Sequence, residues 1–160
     1  MLIVVLDNIR SLYNVGSIFR TADAFSFQKI YLSGYTPGPI GEKQKREIHK
    51  TALGAEEFIE WEKFGKTWKL LENLKKQGFY IVGLETDKKA INISKFNSQI
   101  SKKKMVLVVG NEVKGLSKEV LKRCDKIVKI PMLGKKESLN VSVAFGVAAY
   151  CFSQRINKRK

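Results

Sequence analysis

Short apolar segments alternate along the chain with longer segments in which apolar residues recur at the helical period of about 3.6 residues. The short segments are rich in β-branched residues, which is typical of buried strands. Predicted strands cover residues 2–6, 29–32, 80–84, 105–109 and 126–130. Predicted helices cover residues 15–25, 67–77, 118–124 and 139–155. The alternation predicts an α/β fold with a mainly parallel sheet and helices on both faces.

Local signals indicate where several helices begin or end. Gly78 is placed to end the second predicted helix, and Ser117 is placed to cap the third. The pattern weakens between residues 34 and 64, although the charged residues 42–50 indicate a short helix. The C-terminal helix is apolar on nearly all sides. It must therefore be buried in the core or in an interface.

Chain length favours a single domain over residues 1–160, because 160 residues with 44% apolar content suffice for one core. Residues 154–160 are expected to form a short basic tail. No apolar run reaches 18 residues, and the N-terminal apolar segment has no basic leader before it. We therefore expect a cytoplasmic protein without a membrane span or a signal peptide.

The charge balance favours a polyanionic partner. Thirty Lys and Arg residues against fifteen Asp and Glu residues give a formal net charge of +15. Charge alone does not separate RNA from DNA or a membrane surface, and a generally lysine-rich surface is the other interpretation. Cys124 and Cys151 lack the close pairing of a zinc site and are expected to be reduced structural thiols. His49 has no partner motif and is expected to be an exposed or loop residue, so no metal site is predicted.

Three segments carry clustered glycine, hydroxyl, amide and charged residues. They read NVGSIFRTAD at residues 14–23, VVGNEVKGL at residues 108–116 and IPMLGKKESLNVSVA at residues 130–144. The second and third segments each begin as a strand and break into a glycine-containing loop before a helix, where α/β proteins build ligand sites. Neither carries a G-x-G-x-x-G or G-K-[ST] pattern, which excludes the common nucleotide-binding loops.

Together these segments resemble the three motifs of the SpoU (TrmH-type) family of RNA ribose 2′-O-methyltransferases, within the SPOUT class. The resemblance covers nearly the whole chain. It implies transfer of a methyl group from S-adenosyl-L-methionine to a ribose 2′-hydroxyl of tRNA or rRNA. It also implies a C-terminal trefoil knot (the alpha/beta knot) from about Met105 onward, and no added RNA-binding domain is expected.

The resemblance further implies a homodimer. The motif-one helix and the C-terminal helix would pack against their symmetry mates, and Arg20 would thereby come near the cofactor pocket. That pocket would lie where the loops after three parallel strands converge. The implied cofactor contacts are Leu84, Glu85, Gly110, Ile130, Met132 and Leu139.

The implied catalytic residues are Arg20, Asn14, Glu112, Ser138 and Asn140. An arginine with a pKa above about 12 is a poor general base, so we favour Arg20 as a phosphate clamp that also stabilises the developing alkoxide. Asn14 could orient the arginine or the ribose, or it could cap a helix that starts at Val15. Glu112 could hold either Arg20 or a loop N–H group, whereas Ser138 and Asn140 could cap a helix or bind substrate.

Candidate RNA contacts are Arg10, Lys50 and Lys114. Two alternatives remain open at this point. One is a noncatalytic RNA-binding protein that keeps the knotted fold, although retention of the implied catalytic residues argues against it. The other is a minimal tRNA methyltransferase acting at the wobble position. The chain length favours it, whereas the first and third motifs more closely resemble those of the larger tRNA and rRNA enzymes.

Overall fold

The computed structural model describes residues 1–96 and 104–157. The strands are β1 (Leu2–Asp7), β2 (Lys29–Ser33), β3 (Glu60–Phe64), β4 (Phe79–Leu84), β5 (Ile91–Asn92), β6 (Lys104–Val109) and β7 (Lys126–Lys129). The helices are α1 (Leu12–Ala24), α2 (Gly41–Ala52), α3 (Ala55–Phe58), α4 (Thr67–Lys76), α5 (Lys118–Leu121) and α6 (Val141–Asn157), with a 3₁₀ turn at Ile93–Lys95. The strands form one parallel sheet in the order β3-β2-β1-β6-β4-β7-β5.

The core lies on both faces of the sheet, as β1 illustrates. Val4 and Leu6 of β1 belong to a buried cluster that includes residues of α1 and α6, such as Phe145. Ile3 and Val5 belong to a second buried cluster that includes Leu71 of α4. Successive side chains of a strand point to opposite faces, so a parallel strand covered on both sides is apolar throughout. This confirms the predicted α/β architecture.

All five predicted strands are present, but β3 and β5 were not predicted. β3 reads Glu-Trp-Glu-Lys-Phe and pairs only with β2, at the edge of the sheet. An edge strand has a neighbouring strand on one side only and is more exposed, so it tolerates charged residues. Here the Lys29 ammonium lies 2.6 Å from a Glu60 carboxylate oxygen and 2.8 Å from one of Glu62. β5 has only two residues and carries no periodic signal.

Helix ends follow local hydrogen bonds more than apolar periodicity. α1 begins at Leu12 because the Ser11 hydroxyl accepts the Asn14 backbone N–H at 3.2 Å. The expectation that Asn14 caps a helix starting at Val15 is therefore wrong. Ser117 caps α5 as predicted, and Gly78 follows the end of α4 with a φ of 84°. The short helix predicted at residues 42–50 is α2.

Two predicted helices have shifted ends. α5 is a single turn that stops before Cys124, and α6 begins two residues after Leu139. α6 continues to Asn157, so residues 154–157 of the predicted tail are helical, and residues 158–160 lie outside the described chain. α6 buries Phe145 and Phe152 against the sheet, whereas Val147 on its other side is 38% exposed. The implied trefoil knot stays a prediction.

α2 packs directly on α1 at Gly16. A methyl group at Gly16 would overlap the Thr51 hydroxyl oxygen and the Ile48 carbonyl oxygen. The Thr51 hydroxyl also donates a 2.9 Å hydrogen bond to the Tyr13 carbonyl. Glycine lets the two helix backbones approach, and this contact holds α1 in place beside the carboxyl ends of the strands.

Candidate active site

A cavity opens at the carboxyl edge of the sheet, where β4, β6 and β7 end. Its walls come from three loops, at residues 84–86, 109–115 and 129–139, together with the first turn of α6. All of the residues implied for cofactor contact lie in these walls: Leu84, Glu85, Gly110, Ile130, Met132 and Leu139. The predicted convergence of the three loops is therefore observed.

The second loop folds back on itself at Gly110. A side chain there would place its Cβ 2.6 Å from the Gly115 carbonyl carbon and 2.7 Å from the Leu116 nitrogen. Glu85 ties this loop to the first one, because its carboxylate accepts a 2.7 Å hydrogen bond from the Leu116 N–H. Glu85 thus lines the cavity, and its carboxylate is hydrogen-bonded to the second loop.

Side-chain hydrogen bonds join the three motifs at the rim of the cavity. The Asn14 amide donates to a Glu112 carboxylate oxygen at 3.1 Å. The Asn140 amide donates to the Asn14 carbonyl oxygen at 3.2 Å. Glu112 also accepts the backbone N–H groups of Arg10 and Ser11 at 3.3 Å. Of the two roles considered for Glu112, the structure shows the loop N–H role.

Hydrogen bonds outweigh burial in setting the acidity of Glu112. Partial burial acts to raise the pKa of this carboxyl, but its own backbone N–H, the Asn14 amide and the N–H groups of Arg10 and Ser11 favour the charged form. The net result is a pKa below the ordinary value of 4.5. Glu112 is therefore ionised at neutral pH and is a poor proton acceptor.

Glu112→Gln should lower the free energy of unfolding by about 1 kcal/mol at pH 7, since the carboxylate is only partly buried. A depressed folded pKa gives stability that is complete above the unfolded value of 4.5 and is lost as the pH falls through the folded value. Urea unfolding of both proteins should therefore show a difference in the free energy of unfolding that shrinks as the pH falls below 4.5. Glu57→Gln, at an exposed position on α3, is the control and should leave no such gap. A gap independent of pH would contradict this account.

Arg20 stands apart from this network. It is exposed on α1, and its side chain has no ion pair or hydrogen bond with any described residue. It does not line the cavity. Ser138 does line the cavity, and Asn140 caps α6 by accepting the Ser142 N–H at 2.9 Å. Within one chain, the structure brings together every implied catalytic residue except Arg20.

Sequence reasoning missed Asn111 and Tyr35. Asn111 is 6% exposed, and its amide donates at 2.8 Å both to the Asn8 carbonyl and to the Tyr35 hydroxyl. Its carbonyl oxygen accepts the N–H groups of Val113 and Lys114 at 2.9 Å. An Asn after a strand and before a glycine-bounded turn is a signal for such a turn, but nothing in the sequence marks Tyr35.

The predicted RNA contacts occupy different environments. The Arg10 guanidinium carbon lies 5.8 Å from the centre of the Tyr35 ring, and Lys114 is exposed in the second loop. Lys50 is paired with Glu47 at 2.8 Å. Arg10 and Lys114 are thus near the cavity, whereas Lys50 lies on α2 in an ion pair.

His49 and Cys124 lie in surroundings that fit structural roles. His49 is exposed, as expected, but it lies in α2 with its Nδ1 atom 2.7 Å from the Glu56 carboxylate. Burial raises the pKa of the Cys124 thiol to about 12, which makes it unreactive. The described residues include no cluster of three or more His, Cys, Asp or Glu side chains suited to a metal ion.

Over residues 1–96 and 104–157, no helix has the length and apolar character needed to span a bilayer.

Comparison with known proteins identifies relatives of the whole fold. Residues 1–150 match the model of the SpoU rRNA methylase family. The tRNA (guanosine(18)-2′-O)-methyltransferase of Aquifex aeolicus is 37% identical over 150 residues, which are 93% of this chain and 67% of that enzyme. Other curated relatives, including the protein YacO of Bacillus subtilis, are matched over about half of their length, 56% in that case.

Solved structures show the same fold. The AdoMet-bound rRNA methyltransferase from Sinorhizobium meliloti superposes with a TM-score of 0.87 at 26% identity, over 97% of this chain and 56% of that one. A structure described as explaining the 2-OH methylation of C/U34 on tRNA gives a TM-score of 0.82 at 27% identity, over 99% of this chain and 98% of that one. From its motifs, its fold and these relatives, the chain belongs to the SpoU rRNA methylase family.

Proposed function

We propose that this protein transfers a methyl group from S-adenosyl-L-methionine to a ribose 2′-hydroxyl of tRNA or rRNA. One observation carries the proposal. Asn14 is hydrogen-bonded both to Glu112 and to Asn140 beside the cavity, and the three residues come from distant segments of the chain. Family membership supports the reaction class, because the Aquifex relative is named for this chemistry on tRNA.

The cavity walls fit the proposed cofactor. Leu84, Ile130, Met132 and Leu139 offer apolar surface, and Gly110 contributes backbone to the same wall. Such walls, with a few main-chain polar groups, suit a neutral planar base. The bound cofactor supplies a methyl group already activated by a positively charged sulfur. The protein therefore has to align the acceptor and stabilise its developing charge.

Alignment falls to the hydrogen-bonded network. Asn14 is held from both sides, by Glu112 and by Asn140, so its amide has one orientation. Glu112 positions this amide and the start of α1, and its lowered pKa argues against a role as the base. Ser138 contributes a hydroxyl to the cavity wall for contact with the ribose. Arg20 supplies the positive charge that stabilises the alkoxide and a phosphate.

A homodimer would bring Arg20 to the site. Arg20 lies outside the cavity of its own chain, on the exposed side of α1. α6 packs against α1 and leaves apolar side chains exposed, with Val143 at 52% and Tyr150 at 55%. A two-fold interface through α1 and α6 would bury these residues and would place Arg20 of one subunit at the cavity of the other.

Val147→Glu should convert the dimer into monomers, because it places a charge at the centre of the proposed interface. Sedimentation equilibrium of the wild type should give twice the 18.2 kDa of one chain. The variant should give one chain mass and should lose at least about 90% of its turnover, since Arg20 no longer reaches a partner's cavity. Ile40→Glu, which changes another exposed apolar residue, should remain dimeric. A fully active monomeric Val147→Glu variant would overturn the shared site.

The decisive test is transfer of radiolabelled methyl from S-adenosyl-L-methionine to unmodified tRNA and rRNA, followed by nuclease digestion to identify the labelled nucleoside. A 2′-O-methyl nucleoside is expected. If the protein binds the cofactor and RNA but no RNA becomes labelled, the noncatalytic RNA-binding alternative would replace the proposal.

Two tRNA positions compete as targets. The relative at 37% identity acts on guanosine 18, whereas the structural relative matched over 98% of its length is described for C/U34. Synthetic tRNA with a 2′-deoxyribose at position 18 or at position 34 separates the two, because removing the acceptor hydroxyl abolishes labelling. If neither replacement affects labelling, both positions are excluded.

A further inference from the structure

Tyr35 combines an exposed ring with an anchored hydroxyl. The residue follows β2 and is 54% exposed, and it belongs to neither buried apolar cluster. Its hydroxyl accepts a 2.8 Å hydrogen bond from the buried Asn111 amide, and its backbone N–H donates to the Asn8 side-chain oxygen at 3.2 Å. The residue is therefore held at its backbone and at its hydroxyl while 54% of its surface remains accessible to solvent.

The anchor connects this ring to the cavity wall. Asn111 lines the cavity and also accepts the N–H groups of Val113 and Lys114, which shape the second loop. A single side chain thus lies between the Tyr35 hydroxyl and the proposed cofactor site. A group that stacks on Tyr35 would therefore lie close to Asn111 in the cavity wall.

Unneutralised positive charge accompanies the ring. The Arg10 guanidinium carbon is 5.8 Å from the ring centre, and its side chain forms no ion pair with a described residue. Arg123 over Trp68 makes a similar contact at 4.9 Å, but it is paired with Glu72 and Glu119. Arg10 therefore keeps its charge available, and the exposed Lys114 adds a second cation.

We infer that Tyr35 and Arg10 form a stacking site for an unpaired base of the RNA, next to the nucleotide whose ribose enters the cavity. Unstacked bases of RNA loops stack on aromatic rings and on guanidinium planes, and nearby cations neutralise the phosphates. The inference rests on the proposed function for the identity of the RNA, but stacking can be measured without turnover.

A purely structural role for Tyr35 makes a different prediction. If Tyr35 served only to hold Asn111, its hydroxyl would matter and its ring would not. Tyr35→Phe keeps the ring and removes the hydroxyl, whereas Tyr35→Leu removes both. Phe58→Leu is a matched control, since Phe58 is 81% exposed. Phe58 precedes β3 and so lies at the amino-terminal ends of the strands, whereas Tyr35 follows the carboxyl end of β2.

The test compares two fluorescent probes of equal charge by anisotropy at fixed salt. One is a ten-nucleotide adenylate RNA, and the other is a ten-unit ribose-phosphate oligomer without bases. The ratio of their dissociation constants isolates the contribution of the bases. Wild type should favour the adenylate RNA by about tenfold, within the range for stacking on an aromatic residue.

Tyr35→Leu should reduce this ratio at least fivefold and leave affinity for the baseless oligomer within about twofold. Tyr35→Phe and Phe58→Leu should retain the wild-type ratio. The inference is overturned if the wild type shows no preference, if Tyr35→Leu keeps the full ratio, or if Tyr35→Phe loses as much as Tyr35→Leu. Failure of methyl transfer would not change these ratios, so the two proposals fail separately.

Discussion

Arg20→Ala is expected to lower the single-turnover rate constant of methyl transfer by about 10²- to 10³-fold. The arginine is exposed on α1 with no ion-pair partner among the described residues, so its charge is available to an RNA phosphate and a developing alkoxide. Affinity for S-adenosyl-L-methionine should stay within about twofold, because the proposed role of Arg20 is toward the RNA phosphate and the ribose oxygen and not toward the cofactor. Single-turnover methylation and calorimetric titration of the cofactor measure the two quantities.

Two further variants separate a local effect of Arg20 from loss of general positive charge. Arg46→Ala removes an equal charge from α2, where the side chain is 73% exposed, and should change turnover less than about threefold. Arg20→Lys keeps the charge but loses the planar fork, so it should retain part of the activity. Equal losses in Arg20→Ala and Arg46→Ala would refute a specific role for Arg20.

Gly110→Ala should weaken binding of S-adenosyl-L-methionine by about 100-fold, which corresponds to about 2.7 kcal/mol. The added methyl would lie 2.6 to 2.8 Å from backbone atoms of Gly115 and Leu116. Backbone atoms cannot turn aside as a flexible side chain can, so the loop must shift and the cavity wall with it. Calorimetric titration with the cofactor measures the loss.

Gly65→Ala is the matched control for Gly110→Ala. A methyl group added at Gly65 would have no atom within 4 Å, and this residue lies at the end of β3, away from the cavity walls. The Gly65→Ala variant should bind the cofactor as the wild type does. Thermal unfolding of both variants distinguishes a displaced loop from an unfolded chain. Wild-type cofactor affinity in a folded Gly110→Ala variant would exclude the close loop contact as a requirement for binding.

The fold was predictable where burial constrains both faces of a strand. Residues 2–6 of β1 and 105–109 of β6 are all apolar, and both strands were found from sequence. In contrast, β3 is a charged edge strand and β5 has only two residues. Edge strands lack the pattern because one side of their ladder is open. Pattern analysis therefore located the centre of the sheet and missed both of its edges.

The loops that form the site could be predicted from the sequence, but the hydrogen bonds between their side chains could not. The family resemblance implied six cofactor residues, and all six line one cavity. The motifs could not show that Asn14 joins Glu112 to Asn140, because those contacts bring together residues 98 and 126 positions apart in the chain. The roles of Asn111 and Tyr35 were hidden for the same reason, since a hydrogen bond across loops has no periodicity.

The strand order has a consequence for how a growing polypeptide acquires this fold. Leu2 of β1 pairs with Met105 of β6, and β4 has only β6 and β7 as neighbours. During synthesis, β1, β2 and β3 can associate early, but β4 has no partner until β6 has emerged. Until then, one edge of β1 and the apolar faces of β4 stay uncovered, a state prone to aggregation. Release of β6 from the ribosome is thus the step that joins β4 to β1, and the other edge of β4 is covered only when β7 follows.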